Sequence, residues 1–204
     1  MTIKTIIIAA LTLTLTGCPI YHISQSPRSQ PLSAPEILQT NGLFIHDYTK
    51  ITFPETIDEF HRTNVAKYDT AAANISVGYN EASPNCPITA TIYVFPRPPM
   101  NYIGAAPEVV ASIENQILQN VFSATKNDIV HAHSNAKLIA ENQLAFGEKK
   151  AWVAKYSDGP AITIAKVLIY DLDWIVKYRY TFPATCEPQA QQAVGKLEEG
   201  LRLY

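Results

Sequence analysis

The chain of 204 residues is short of several things, and each shortage removes a class of function. Basic residues are not in excess: 16 Lys and Arg stand against 18 Asp and Glu, a formal charge of −2. Nucleic-acid binding therefore has no electrostatic support. No block of like charges suggests an interaction tail. Glycine is scarce, eight in all, and none sits in a loop that would cradle phosphate. The nucleophile motifs Gly-x-Ser-x-Gly and Ser-x-x-Lys in context are missing. No internal repeat of solenoid or propeller length is present. The main apolar stretch, Ile6 to Leu15, is ten residues long and broken by threonines. It is too short to cross a bilayer core, which takes roughly 20 residues.

What is present begins with that stretch. Lys4 supplies a positive start, Ile6 to Leu15 an apolar middle, and Thr16-Gly17 the small residues that a signal peptidase accepts. The run ends Leu15-Thr16-Gly17-Cys18. It resembles the lipobox of bacterial lipoproteins. The resemblance implies that the Cys18 thiol takes a diacylglycerol, that residues 1–17 are cut away, and that a fatty acid such as palmitate caps the new N-terminus. Several acyl chains make a firm anchor, whereas one holds only reversibly. The expected partner of the mature chain is thus a membrane, reached through lipid on Cys18. The residue that follows is Pro19 and not the Asp that such proteins use for inner-membrane retention. The expected address is the bacterial cell envelope, on the periplasmic face of the outer membrane where two membranes exist.

Loss of the leader takes Lys4 with it and leaves 15 basic against 18 acidic residues. Residues 18–42 read as a lipidated N-terminus and flexible tether, because Ser24 to Pro31 is polar, proline-bearing and without apolar period. Residues 43–204 read as one globular domain, ample for a single core. In an exported chain Cys86 and Cys186 form a candidate disulfide. Its 100-residue loop would contribute up to about 4.7 kcal/mol in the chain-entropy picture. The alternative is a pair of separate buried thiols.

Periodicity supplies the elements. Ile75, Val77 and Tyr79 alternate, and Ile88, Ala90, Ile92 and Val94 do so again after the turn residues Ala82 to Asn85, which predicts a hairpin. Phe53 to Phe60 reads as a turn. Val110, Ile113, Ile117 and Val121 predict a helix over Ala106 to Thr125, with Pro107 in its first turn. Four strands follow, over 137–146, 151–156, 161–170 and 174–182, divided by turn signals such as Ser157-Asp158-Gly159-Pro160. A second helix begins near Glu187 on the stripe Ala190, Ala193, Val194, Leu197, Leu201. The expected fold is α+β: one antiparallel sheet of about six strands, a hairpin plus a four-stranded meander, with two helices packed on it. That order is similar to the PsbP-like fold, named for an extrinsic subunit of photosystem II. Phe53-Pro54, Phe60-His61-Arg62, Val77-Gly78-Tyr79 and Thr91 to Phe95 also look like a block found in bacterial proteins with no assigned activity.

Candidate chemistry is thin. His131 and His133 would face the same way on a strand and offer two imidazoles to a metal, with Asp128 and Glu141 nearest in sequence as further ligands. The competing reading is a polar pair leading into an exposed strand. Asp58-Glu59 and Asp171 with Asp173 are close carboxylates at turns. Tyr156, Tyr170, Trp174, Tyr178 and Tyr180 would line a groove or, as strand aromatics usually do, fill a core. No catalytic residue and no cofactor are expected. The reading is a lipid-anchored envelope lipoprotein acting as a non-enzymatic binding or accessory module. The alternative is an envelope hydrolase or metal-dependent enzyme built on His131 and His133.

Overall fold

The structure, a computed structural model, describes residues 29–99, 104–146, 149–171 and 173–201. The leader, Cys18 and the first part of the tether lie outside these residues. Eleven strands and two helices follow in chain order. They are β1 (Pro31–Ile37), β2 (Phe44–Ile45), β3 (Thr52–Phe53), β4 (Thr56–Ile57), β5 (Phe60–Asp69), β6 (Ile75–Glu81) and β7 (Ile88–Pro96), then α1 (Pro107–Ala132). After it come β8 (Lys137–Phe146), β9 (Lys149–Asp158), β10 (Ala161–Asp171), β11 (Trp174–Pro183), a single 3-10 turn (Ala184–Cys186) and α2 (Glu187–Leu201).

The main sheet has nine strands, not about six. Its order is β1-β5-β6-β7-β11-β10-β9-β8, with β4 paired to β5, and neighbouring strands run antiparallel. β2 and β3 pair separately. The three additional strands have identifiable causes. β5 suffers a register shift between Arg62 and Asn64, which breaks its alternation. β1 is an exposed edge with two prolines and no apolar face, so it reads as tether. β4 is only two residues long. Residues 31–37 of the expected tether are therefore sheet, held by pairs such as Glu36 with Lys67, whose side chains also form an ion pair at 2.8 Å.

Alternation along β11 explains how the helices are placed. Trp174, Val176, Tyr178, Tyr180 and Phe182 point to one face, and Ile175 with its odd-numbered neighbours to the other. The first set joins the larger core with Ala190, Leu197 and Leu201 of α2. Ile175 joins Ala165 and Val167 of β10 beneath Ile117, Leu118, Phe122 and Ile129 of α1. The helices thus lie on opposite faces. α1 runs seven residues beyond Thr125, because Ile129 continues its buried stripe past a polar surface. No helix among the described residues is long and apolar enough to cross a membrane.

Cys86 and Cys186 are joined in a disulfide with their Cα atoms 5.7 Å apart. The bond ties the loop before β7 to the turn that launches α2. It sets where that helix starts over the sheet.

Candidate functional site

α2 packs mainly on β11 and β4. It stops short of covering the other end of the sheet, and a groove of about 400 Å³ is left between them. The floor is Val153 of β9, Ile164 of β10 and Phe182 of β11. Val194 and Gly195 of α2 form the wall, and Ala140 and Leu144 of β8 form the outer lip. Above Gly195 the space is open: a Cβ placed there would meet nothing within 4 Å.

Polar groups enter the groove in a fixed way. Lys166 lies among the apolar residues Ile162, Ile164 and Leu168 on the α2 face of β10, and its Nζ is 2.5 Å from Glu198 Oε1. The Tyr180 hydroxyl donates to the same oxygen at 2.8 Å. Burial, then the Glu198 charge, pushes the Tyr180 pKa well above its ordinary value, so the hydroxyl keeps its proton as a donor. Lys155 of β9 reaches Glu187 at 2.5 Å. Glu187 and Glu198 are eleven residues apart, about 16 Å along the helix. Two ion pairs therefore hold α2 to the floor near either end. The lining contains no Ser, Thr, Cys or His. An apolar concavity with a few fixed polar groups is the usual form of a small-molecule site, and here the Lys166 ammonium and the Tyr180 hydroxyl are both turned to Glu198.

Other depressions are less suited. A larger one, about 650 Å³, is shallow and lined by Asn127, Asp128, Val130, His131 and Ser134 at the end of α1. Another, beside Arg62, is polar, and its guanidinium is already donated to the Phe53 and Gly42 carbonyls.

The histidines part company. Both were expected at a strand, but His131 is in the last turn of α1 and His133 is its C-cap. Two residues on a helix are about 200° apart, so the rings diverge. His131 is exposed. The His133 Nε2 is 2.6 Å from Arg179 Nη2, and its Nδ1 is 2.8 Å from Asp158 Oδ2. A guanidinium only donates, so Nε2 accepts and the proton sits on Nδ1. Both nitrogens are thereby engaged. Glu141 bonds Lys126 at 2.7 Å and Asp128 lies 3.9 Å from Lys177. Among the described residues no group of three or more His, Cys, Asp or Glu is placed to hold a metal ion.

The remaining candidates serve the fold. Asp58 pairs with Lys196 at 3.0 Å. Asp173 and Glu114 flank the buried Arg97 guanidinium at 3.5 and 3.6 Å, linking the last hairpin to α1. Tyr156, Trp174 and Tyr178 are buried in the cores, while Tyr170 packs beside one. Of the five aromatics, only Tyr180 lines the groove. Sequence reasoning missed Lys166 and Glu198, although each leaves a signal: a charge on the apolar face of a strand, and one on the buried stripe of a helix.

No protein-family model matches the chain, and no curated protein matches it in sequence.

Proposed function

We propose that the chain is a lipid-anchored lipoprotein of the bacterial cell envelope whose domain binds an apolar or amphiphilic small molecule in the groove beside α2. The groove carries the binding half of this reading. It is apolar, about 400 Å³ in volume, and its lysines are paired with glutamates, so it suits a ligand with little net charge. The run Leu15 to Cys18 supports the anchor. The disulfide between Cys86 and Cys186 fits an oxidising compartment such as the periplasm.

Each half has its own test. Labelled palmitate is expected to enter the wild-type chain in bacteria and to be absent from Cys18→Ala, which leaves the membrane fraction. A Cys18→Ala chain that stays labelled and membrane-bound contradicts the anchor. Titration with the apolar dye N-phenylnaphthylamine is expected to saturate at one site per chain. Ile164→Asp, which puts a charged, hydrated group on the apolar floor beside Lys155, is expected to remove that binding. Dye uptake that never saturates, or that Ile164→Asp leaves unchanged in a folded chain, contradicts the groove.

A further inference from the structure

β8 closes one end of the sheet, and its outer ladder of N–H and C=O groups faces away from β9. It is ten residues long and contains no proline. Leu138, Ile139 and Leu144 are each about half exposed. Natural edges are usually guarded by charge, proline or short length. Lys137 sits only at the start, and the lone carboxylate, Glu141, is neutralised by Lys126. One irregularity, between Leu138 and Ala140, leaves a regular stretch from Ala140 onward.

That stretch is complementary to itself. Ala140, Asn142 and Leu144 oppose Lys155, Val153 and Ala151 on the α2 face, while Glu141 and Gln143 point to the α1 face. A two-fold axis perpendicular to the sheet makes two copies antiparallel and keeps like faces together, so each residue opposes one of the same parity. Pairing about Glu141 would set two carboxylates against each other. Pairing about Gln143 would set Asn142 against Leu144, polar on apolar. Pairing about Asn142 sets amide on amide, Ala140 on Leu144, and Glu141 on Gln143, whose carboxamide donates to the carboxylate. Only the last register matches every pair in character.

We infer that two copies of this chain pair through β8 about Asn142, joining their sheets into one and bringing the lips of the two grooves side by side. The occupant is a second copy, because the residues that would face the incoming strand are matched by that strand's own sequence. The inference does not depend on the identity of the groove's ligand.

Cross-linking of the full-length chain tests it. Residues directly opposite in such a pair have Cα atoms about 4.5–5.5 Å apart, within disulfide reach. Asn142→Cys is expected to give a band of twice the monomer mass on a non-reducing gel, lost on reduction. Val130→Cys, exposed on α1, is expected to stay monomeric. Light scattering of the wild type in mild detergent is expected to show a dimer, and Asn142→Lys, which opposes two ammonium groups at an exposed position, a monomer with unchanged circular dichroism. A monomeric wild type overturns the inference. So does equal cross-linking from both cysteines, or an Asn142→Cys product whose mass is that of a different partner.

Discussion

At one edge of the sheet β1 carries Pro31 and Pro35, a register shift and the ion-paired Glu36. At the other edge β8 runs ten residues without a proline, with its described side chains exposed. The strands inside each edge differ as well. Val65, Ile75, Val77, Tyr79 and Ile92 near β1 have no exposure, sealed by α2, β4 and the short β2–β3 pair. Near β8 the same face of the sheet is apolar, but α2 does not reach across it. One end is built for cohesion and the other is left open for contact. Substitutions at the closed end should cost stability, and those at the open end should cost binding.

The largest effect expected at the closed end comes from the disulfide. Cys186→Ser should lower unfolding stability by about 2–5 kcal/mol, measured by denaturant titration without reductant. The two glycines of α2 divide the comparison within one helix. A Cβ on Gly200 would collide with the Ile57 side chain, so the helix meets β4 there at a distance only glycine allows. Gly200→Ala should cost about 1–3 kcal/mol in the same titration. Gly195 faces the open groove, and Gly195→Ala should instead stabilise by up to about 1 kcal/mol through helix propensity. A loss at both positions would mean that the groove is filled by the protein itself.

The smallest effect is one of pH. His46 is buried against Trp174 and Tyr48. Burial pulls its pKa below the ordinary 6.5, outweighing the nearby backbone at Ala72 and Ala73 and the charges of Asp47 and Asp69, all of which favour the protonated ring. Between that lowered value and 6.5 the unfolded chain binds more protons than the folded one. Stability should therefore fall as pH drops through this window. His46→Phe should flatten that slope, read from denaturation midpoints across the window, while groove binding stays unchanged.

The meander was legible because its strands alternate and its turns carry their own signals; Gly159, at φ 57°, takes a conformation that the sequence Asp158-Gly159 invites. β5 was not, since its irregularity falls between Arg62 and Asn64 and scrambles the two-residue period. β1 was hidden by the same prolines that protect it. The end of α1 was lost to a polar surface over Lys126 to Asp128, and that loss placed His131 and His133 on the wrong element. The groove is a different matter. Lys166 and Glu198 each look misplaced in sequence, but they are 32 residues apart and only the packing of α2 joins them. A cavity is defined by what a helix fails to cover, and helix position depends on the Cys86–Cys186 disulfide, which the sequence offers as a candidate, and on Gly200, which no local pattern reveals.

The most direct test is Gly195→Phe, read by dye titration and by denaturation together. A Cβ at Gly195 meets nothing within 4 Å, and the added ring would extend from it into the groove. N-phenylnaphthylamine affinity is expected to fall about tenfold or more, equivalent to ~1.4 kcal/mol, with the denaturation midpoint at or above that of the wild type. Unchanged affinity in a folded Gly195→Phe chain would contradict the assignment of the groove as the binding site.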